Sequence, residues 1–260
     1  MLLKSREDLQ IVRARYANSL EAESKKILVC AGTGCISSGS LEIYGRLKEL
    51  MEAAGIPCAV ELQEEPHGDV TGLKKSGCHG FCEMGPLVRI EPQGFLYTKV
   101  KMADCEDIVK ETILKGALVE RLAYQMGGKV YQKQEDIPFY EKQTRLVLEH
   151  CGHIDATTVK EYLAIGGYAG LEKALFDLDG DAVIKEVSDS ALRGRGGGGF
   201  PAGRKWSQVR AQRTERKYIV CNGDEGDPGA FMDRSIMEGD PHRLLEGMMI
   251  AGLACGASEG

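Results

Sequence analysis

The sequence has no apolar run long enough to cross a bilayer. Its longest weakly polar stretch, residues 247–257, falls far short of the ~20 residues a helical span needs, so no direct membrane span is expected. The first ten residues, MLLKSREDLQ, contain no sustained apolar stretch, and no secretory signal peptide is expected there. There is no basic excess either. Thirty-three Lys+Arg stand against 39 Asp+Glu, a net charge of −6, which argues against nucleic-acid binding through a basic surface. No two cysteines are spaced C-x2-C, so neither a thioredoxin redox site nor a zinc knuckle has its usual pair. No internal repeat is evident.

What the chain does have is cysteine and glycine. Nine cysteines and 33 glycines, against only 8 prolines, are an excess for 260 residues. Without an export signal, clustered cysteines point to metal ligation or catalysis before disulfides. Hydrophobic residues at 43% and charged residues at 28% describe a globular chain with a real core, about two ordinary domains in length.

Residues 1–25 carry Leu9, Val12, Tyr16 and Leu20 at helical spacing, which predicts an amphipathic helix. KKILVC (25–30) reads as a strand, followed by a glycine-bearing loop. Ser40 is placed to cap a helix through Leu41, Tyr44, Leu47 and Met51 that stops at Gly55. CAVELQE (58–64) alternates as a strand, and a loop with a short helix leads on to GCHGFCEMGP. LVRIEP and FLYTKV flank Gln93-Gly94 as a hairpin, and residues 103–116 have helical period. The order β-α-β-loop-β-β-α is that of a thioredoxin-like domain spanning 26–116. Residues 117–142 read as a linker. Helical segments are expected at 157–164, 169–176 and 181–192, a buried strand at KYIVCN (217–222), and a helix from Pro241.

Cys30 and Cys35 form C-x4-C at a strand end, and Cys78 and Cys82 form C-x3-C inside SGCHGFCEMG. Two pairs of thiolates suit a [2Fe–2S] cluster, in which each iron takes two. Gly32, Gly34, Gly77 and Gly80 would let backbone N–H groups approach the sulfurs. A structural zinc site is the competing reading, although zinc favours C-x2-C pairs. CAGTGCISSGS and SGCHGFCEMGP together resemble the thioredoxin-like 2Fe–2S ferredoxin domain of NADH dehydrogenase and hydrogenase complexes. The resemblance implies that Cys30, Cys35, Cys78 and Cys82 all ligate the cluster. Of the other cysteines, Cys58 and Cys221 fall in expected strands and Cys105 and Cys255 in expected helices, as small hydrophobes. Cys151, beside His150 and His153, lacks a nearby fourth partner and is assigned to packing.

LRGRGGGGFPAGRKW (192–206) can turn many backbone N–H groups toward a phosphate, because glycine has no Cβ to hold the ligand off. Gly194, Gly196 and Gly199 match G-x-G-x-x-G, but after a helical segment and not after the strand of a Rossmann unit. A Walker A loop fails, because Gly203 is followed by Arg204 and Lys205. Next comes CNGDEGDPGAFMDR (221–234), whose polar side chains stand at an expected strand end, where α/β folds place ligands. Neither it nor FDLDGDA fits the EF-hand template.

These two motifs resemble the FMN- and NADH-binding subunit of respiratory complex I. They are closer still to the homologous subunit of NAD(P)-reducing, often electron-bifurcating, hydrogenases, where a ferredoxin-like domain precedes the flavin domain. IPFYEKQTRLVLEHCGHID (137–155) is similar to the segment joining the two. The resemblance implies an α/β chain with a thioredoxin-like 2Fe–2S domain and then, over 143–260, the start of an α/β FMN/NADH-binding domain. It implies that Gly194, Arg195, Gly196 and Lys205 hold FMN, with Lys205 near the phosphate, and that Asn222, Asp224 and Glu225 line the isoalloxazine. Phe200 would stack on the nicotinamide, with Glu225 and Asp227 nearby for the dinucleotide. Where the family often places a second aromatic, Gln208 stands. The resemblance also leads us to expect a partial chain, since the family's flavin domain continues further and carries a 4Fe–4S site there.

The resulting expectation is an NAD(P)H dehydrogenase-type oxidoreductase. It would be an electron-entry subunit in which NADH reduces FMN and electrons pass to iron–sulfur clusters. No side chain is assigned as catalytic, because the hydride chemistry belongs to the cofactors. Partners would be other subunits of a hydrogenase, formate dehydrogenase or NADH dehydrogenase complex. The location would be cytoplasmic, at most peripheral on the cytoplasmic face of a membrane complex. The rival expectation is a non-enzymatic iron–sulfur or zinc-bearing docking module with a structural glycine loop.

Overall fold

The structure is a computed structural model that describes residues 4–63, 70–155 and 157–260. Contacts divide the chain into two compact units. One comprises residues 11–165 and 225–241, the other residues 1–10, 166–224 and 242–260. The division therefore falls within segments that the sequence suggested were continuous, one of them the acidic loop.

Helix α1 (Arg6–Glu21) ends earlier than expected, and strand β1 (Glu23–Cys30) begins accordingly sooner. Residues 27–30 are all buried, as in a strand covered on both faces. A short helix α2 (Thr33–Ser37) follows, then α3 (Ser40–Ala53). Ser40 does not cap α3. That position is Gly39, at φ 91°, and Ser40 is the first helical residue, fully buried. Glycine takes the left-handed turn that leads into the helix without steric cost.

The strand expected over 58–64 shrinks to β2 (Cys58–Ala59), and Glu64 lies outside the described residues. The main partner of β1 is instead β3 (Val70–Ser76), where a loop and short helix were expected. β3 runs parallel to β1, pairing Leu73 with Ile27 and Ser76 with Cys30. On the other side β4 (Val88–Glu91) pairs antiparallel with β1 and with β5 (Phe95–Tyr97), closing the expected hairpin at Gly94. The sheet order is β2-β3-β1-β4-β5. A parallel β1–β3 pair flanked by an antiparallel hairpin is the thioredoxin-like arrangement, and the fold is α/β. Helix α4 (Cys105–Asp107) continues as a π-helical segment, Ile108–Ile113, which packs with α3 against Ile27, Val29, Leu73, Val88 and Ile90.

Residues 117–142, read as a linker, carry regular secondary structure. They form the hairpin β6 (Tyr124–Met126) and β7 (Lys129–Tyr131), turning at Gly127 and Gly128, and then α5 (Pro138–Glu141). Tyr131, Ile137 and Tyr140 are buried in one cluster with Cys30, Cys35, Phe81, Leu87 and Leu96. The aromatic side chains gain more buried area here than a solvated linker would allow. Helix α6 (Val159–Ala164), capped by the Thr158 hydroxyl, and α10 (Met232–Gly239) complete this unit.

The other unit contains α7 (Ala169–Phe176), α8 (Gly180–Asp189), α9 (Ala202–Arg210) and α11 (Pro241–Cys255). Its core joins Ala174, Val183, Ile184 and Ala254, with Leu178, Trp206 and Ile250 against them. KYIVCN is not a buried strand. Tyr218 makes one parallel bridge to Glu259, and Val220 is 84% exposed. A strand needs a ladder on its edges, and this segment makes one bridge only. Cys221, expected to pack as a small hydrophobe, is exposed, while Cys105 and Cys255 are buried in helices as expected.

Candidate functional site

Strand ends set the first site. β1 and β3 finish side by side at Cys30 and Ser76, so Cys30 and the loop carrying Cys78 and Cys82 leave the sheet together. Cys35 returns on α2, one turn away from β1. The thiols form a continuous group. Cys78 Sγ lies 3.9 Å from Cys82 Sγ, and Cys30 is close enough to Cys35 and Cys78 for its thiol to be shifted by both. All four cysteines are free thiols, with Cys82 exposed.

Glycines close the site for a reason the sequence did not reveal. A Cβ on Gly32 would stand 2.9 Å from Cys78 Cβ, one on Gly34 3.3 Å from Cys82 Cβ, and one on Gly85 2.7 Å from Cys35 Sγ. Close packing on the cysteines, more than N–H donation, requires these residues. Gly80 does donate, its N–H lying 3.3 Å from Cys78 Sγ. Gly77 faces elsewhere, with a Cβ there meeting Cys151 Sγ at 2.7 Å. Cys151 is buried at this point, and His150 pairs with buried Asp240 at 2.7 Å.

The electrostatics of the thiols suit a bound cation centre. The hydrogen bond to Cys35, aided by burial, pushes the Cys30 thiol up to about 12, and the same bond holds Cys35 below the usual thiol range. Contact with Cys30 and burial raise Cys78, and burial raises Cys82. Four thiolates this close repel one another, and only bound metal charge lets all of them ionise together. No three His, Cys, Asp or Glu side chains among the described residues converge on one ion position. A binuclear cluster asks for two thiolates per iron, so the donor set fits a [2Fe–2S] group.

Three neighbours were not found from sequence. His79 is fully buried, 2.8 Å from Ser76 Oγ and 3.1 Å from Gln134 Oε1, and burial lowers its pKa to about 3. Arg145 donates to the carbonyls of Cys78 (2.8 Å) and His79 (3.3 Å), holding the ligand loop. Tyr140 packs on the same cluster with a buried hydroxyl that has no partner. His79 sits inside the SGCHGFCEMG motif, and Tyr140 and Arg145 in the 137–155 segment, but a single His, Tyr or Arg has no spacing that marks it as a neighbour of the thiols.

The glycine loop lies in the other unit, between α8 and α9. Gly194 N–H donates to the Phe200 carbonyl at 2.9 Å, and Arg193 bridges Pro201, which pinches the loop at its base. Gly197 and Gly199 take positive φ, 92° and 57°. Gly196 and Gly198 do not, and a Cβ on either would meet nothing within 4 Å. The protein itself gives no packing reason for glycine there; a ligand lying on the backbone would. Helix α9 starts at Ala202 without a side-chain cap and carries exposed Lys205 at its fourth position. Arg195 is exposed, and Arg204 lies over the Phe200 ring at 5.6 Å.

The acidic loop is mostly self-bonded. Asn222 Oδ1 accepts from Asp224 N–H at 3.0 Å. Glu225, at φ 48°, accepts from the backbone N–H groups of Met232 and Arg234 and so caps α10. Asp227 is exposed. Asn222 and Asp224 belong to the unit of the glycine loop, Glu225 and Asp227 to the other.

Residues 187–260 match the family model of the Nuo51 FMN-binding domain. The chain is 48% identical over 120 residues to the NADP-reducing hydrogenase subunit HndC of Solidesulfovibrio fructosivorans, covering 46% of this chain and 24% of that one. It is 50% identical over 106 residues to an NADH-quinone oxidoreductase subunit of Rhizobium meliloti, covering 41% and 24%. The chain thus spans about a quarter of the length of these curated relatives. Among solved structures it is similar to a thioredoxin-like [2Fe–2S] ferredoxin from Aquifex aeolicus, at 28% identity, 42% of this chain, 96% of that chain and a TM-score of 0.32.

Proposed function

We propose, from the match of residues 187–260 to the FMN-binding family, that this chain serves as an electron-entry flavoprotein. It would oxidise NADH, or reduce NAD+, through FMN and pass electrons to iron–sulfur clusters of a multi-subunit complex. The partner complex would be of NADH dehydrogenase, hydrogenase or formate dehydrogenase type. No helix among the described residues is long and apolar enough to cross a membrane, and we propose a cytoplasmic location. The observation that carries the iron–sulfur part of the reading is the grouping of Cys30, Cys35, Cys78 and Cys82 at one end of the sheet, under glycines with no room for a Cβ.

When bound, the flavin accepts a hydride and releases electrons singly, which is chemistry no side chain supplies. The protein's share is binding and orientation. Gly194, Arg195 and Gly196 would present backbone and guanidinium donors to FMN, and Lys205 its ammonium to the phosphate, beside the uncapped start of α9. Asn222, Asp224 and Glu225 would bond the isoalloxazine edge, and Phe200 would stack on the nicotinamide. Glu225 and Asp227 would accept hydrogen bonds from the dinucleotide. Cys30, Cys35, Cys78 and Cys82 would ligate the [2Fe–2S] cluster, with Gly80 N–H and the Arg145 clamp holding Cys78 in place.

Anaerobic purification of the full-length protein tests this. Iron and acid-labile sulfide should be present in equal amounts, and denaturation should release FMN. Lys205→Ala should lower the flavin content and leave the iron content unchanged. A colourless protein containing zinc would instead support a docking module.

A further inference from the structure

Tyr140 is 7% exposed, and its hydroxyl is buried with no hydrogen-bond partner. A buried hydroxyl without a partner is costly, and native structures rarely keep one without a use. Its surroundings limit that use. The ring packs edge-on against Phe81 at 5.6 Å and against Phe139 at 5.2 Å, and its hydrophobic cluster contains Cys30 and Cys35. A phenol, with its ordinary pKa of about 10, is protonated near neutral pH and is therefore a donor.

Arg145, the cation of this loop, has its guanidinium bonded to the Cys78 and His79 carbonyls. A guanidinium cannot accept a hydrogen bond in any case. Cys30 and Cys35 share the hydrophobic cluster of Tyr140, so sulfur is the acceptor chemistry its neighbours would bring.

On the basis of the [2Fe–2S] reading above, we propose that the Tyr140 hydroxyl donates a hydrogen bond to sulfur of the cluster edge held by Cys30 and Cys35. The bond raises the cluster's reduction potential. One electron enters, and no covalent bond to the tyrosine forms or breaks. The reduced cluster carries one more negative charge, so the donor stabilises it more than the oxidised form. Tyr140 acts as a positioning and tuning residue, not a catalytic one.

The test uses the full-length holoprotein and Tyr140→Phe, which removes one oxygen and keeps the ring. Iron and sulfide per chain are measured first, then the potential by titration followed by electron paramagnetic resonance. Tyr140→Phe should retain the cluster and favour the oxidised form by about tenfold, a fall of ~59 mV for a one-electron couple. Resonance Raman of the wild type should show iron–sulfur bands that shift in D2O by an increment missing from the variant. Fluorotyrosine placed at position 140 keeps the packing and strengthens the donor, so the potential should rise. It also serves if Tyr140→Phe does not fold. A loaded variant with unchanged potential and unchanged bands overturns the hydrogen bond. A wild-type protein without iron overturns the cluster reading itself.

Discussion

Gly32→Ala should damage the cysteine site more than it damages the fold. The added Cβ would lie 2.9 Å from Cys78 Cβ, 3.0 Å from its Sγ and 3.2 Å from its Cα. Carbon atoms pack comfortably at ~3.5–4.0 Å, so the shortfall at Cβ is at least ~0.6 Å. Turning the Cys78 side chain does not relieve it, because Cα is also crowded. The loop carrying Cys78 must move as a whole. Overpacking of this kind costs ~1–3 kcal/mol, or several degrees in melting temperature for a chain of this size. Ligand distances in a metal site tolerate only ~0.2 Å, so a shift of half an ångström or more should cost most of the bound iron. The assay is iron and sulfide content beside a thermal melt. Gly45→Ala in α3 is the control, since a Cβ there meets nothing within 4 Å. That helix-interior change should stabilise by up to ~1 kcal/mol and leave the iron content unchanged. If Gly32→Ala bound as much iron as the wild type and melted with it, close approach would not be what keeps glycine there.

Lys74 is fully buried between Glu23 and Glu161, and Lys74→Met should cost ~3–5 kcal/mol near neutral pH by stranding carboxylates. Burial already raises the Glu23 pKa against the pull of Lys74, so the folded state holds its proton to higher pH than the unfolded chain. Without Lys74 that pKa rises further, and the deficit in urea unfolding should widen from pH 5 to pH 8; a deficit independent of pH would refute this. Gly203→Ala would drive a Cβ into Ser188 Oγ and to 2.8 Å from Ser188 N, separating α9 from α8 at ~1–3 kcal/mol or more. Ser188→Ala should not rescue it, because the backbone contact remains, and full rescue would place the clash in the hydroxyl alone. Brief alkylation followed by peptide mass spectrometry should label exposed Cys221 well before buried Cys105, Cys151 and Cys255, and equal labelling would contradict the packing described.

The two cysteine pairs were legible because ligand spacing and flanking glycines are local in sequence. The hairpin at Gly94 and helices α7 and α11 were legible for a similar reason: turn chemistry and helical period are written in neighbouring residues. β3 was not. Its sequence VTGLKKS places glycine and two lysines in a mostly buried strand, which hydrophobic periodicity scores as a loop. Lys74 is tolerated there because Glu23 and Glu161 reach it from β1 and α6, and Gly72 because a Cβ would strike Glu23 and Lys74 at 2.7 Å. KYIVCN erred in the opposite direction. Its apolar run looked buried, yet with a single bridge Val220 stays in solvent.

By itself, then, the sequence determined the element types where periodicity is strong, the four thiols, and a glycine loop open to a ligand. Those properties depend on residues a few positions apart. Only the tertiary structure decided that β3 lies beside β1 and that residues 117–142 pack onto the cysteine cluster. It also decided that Gly32, Gly34 and Gly85 serve close approach, and that a lone tyrosine hydroxyl is buried beside the thiols. These depend on which distant segments meet, and burial and the pairing of polar groups exist only once they have met.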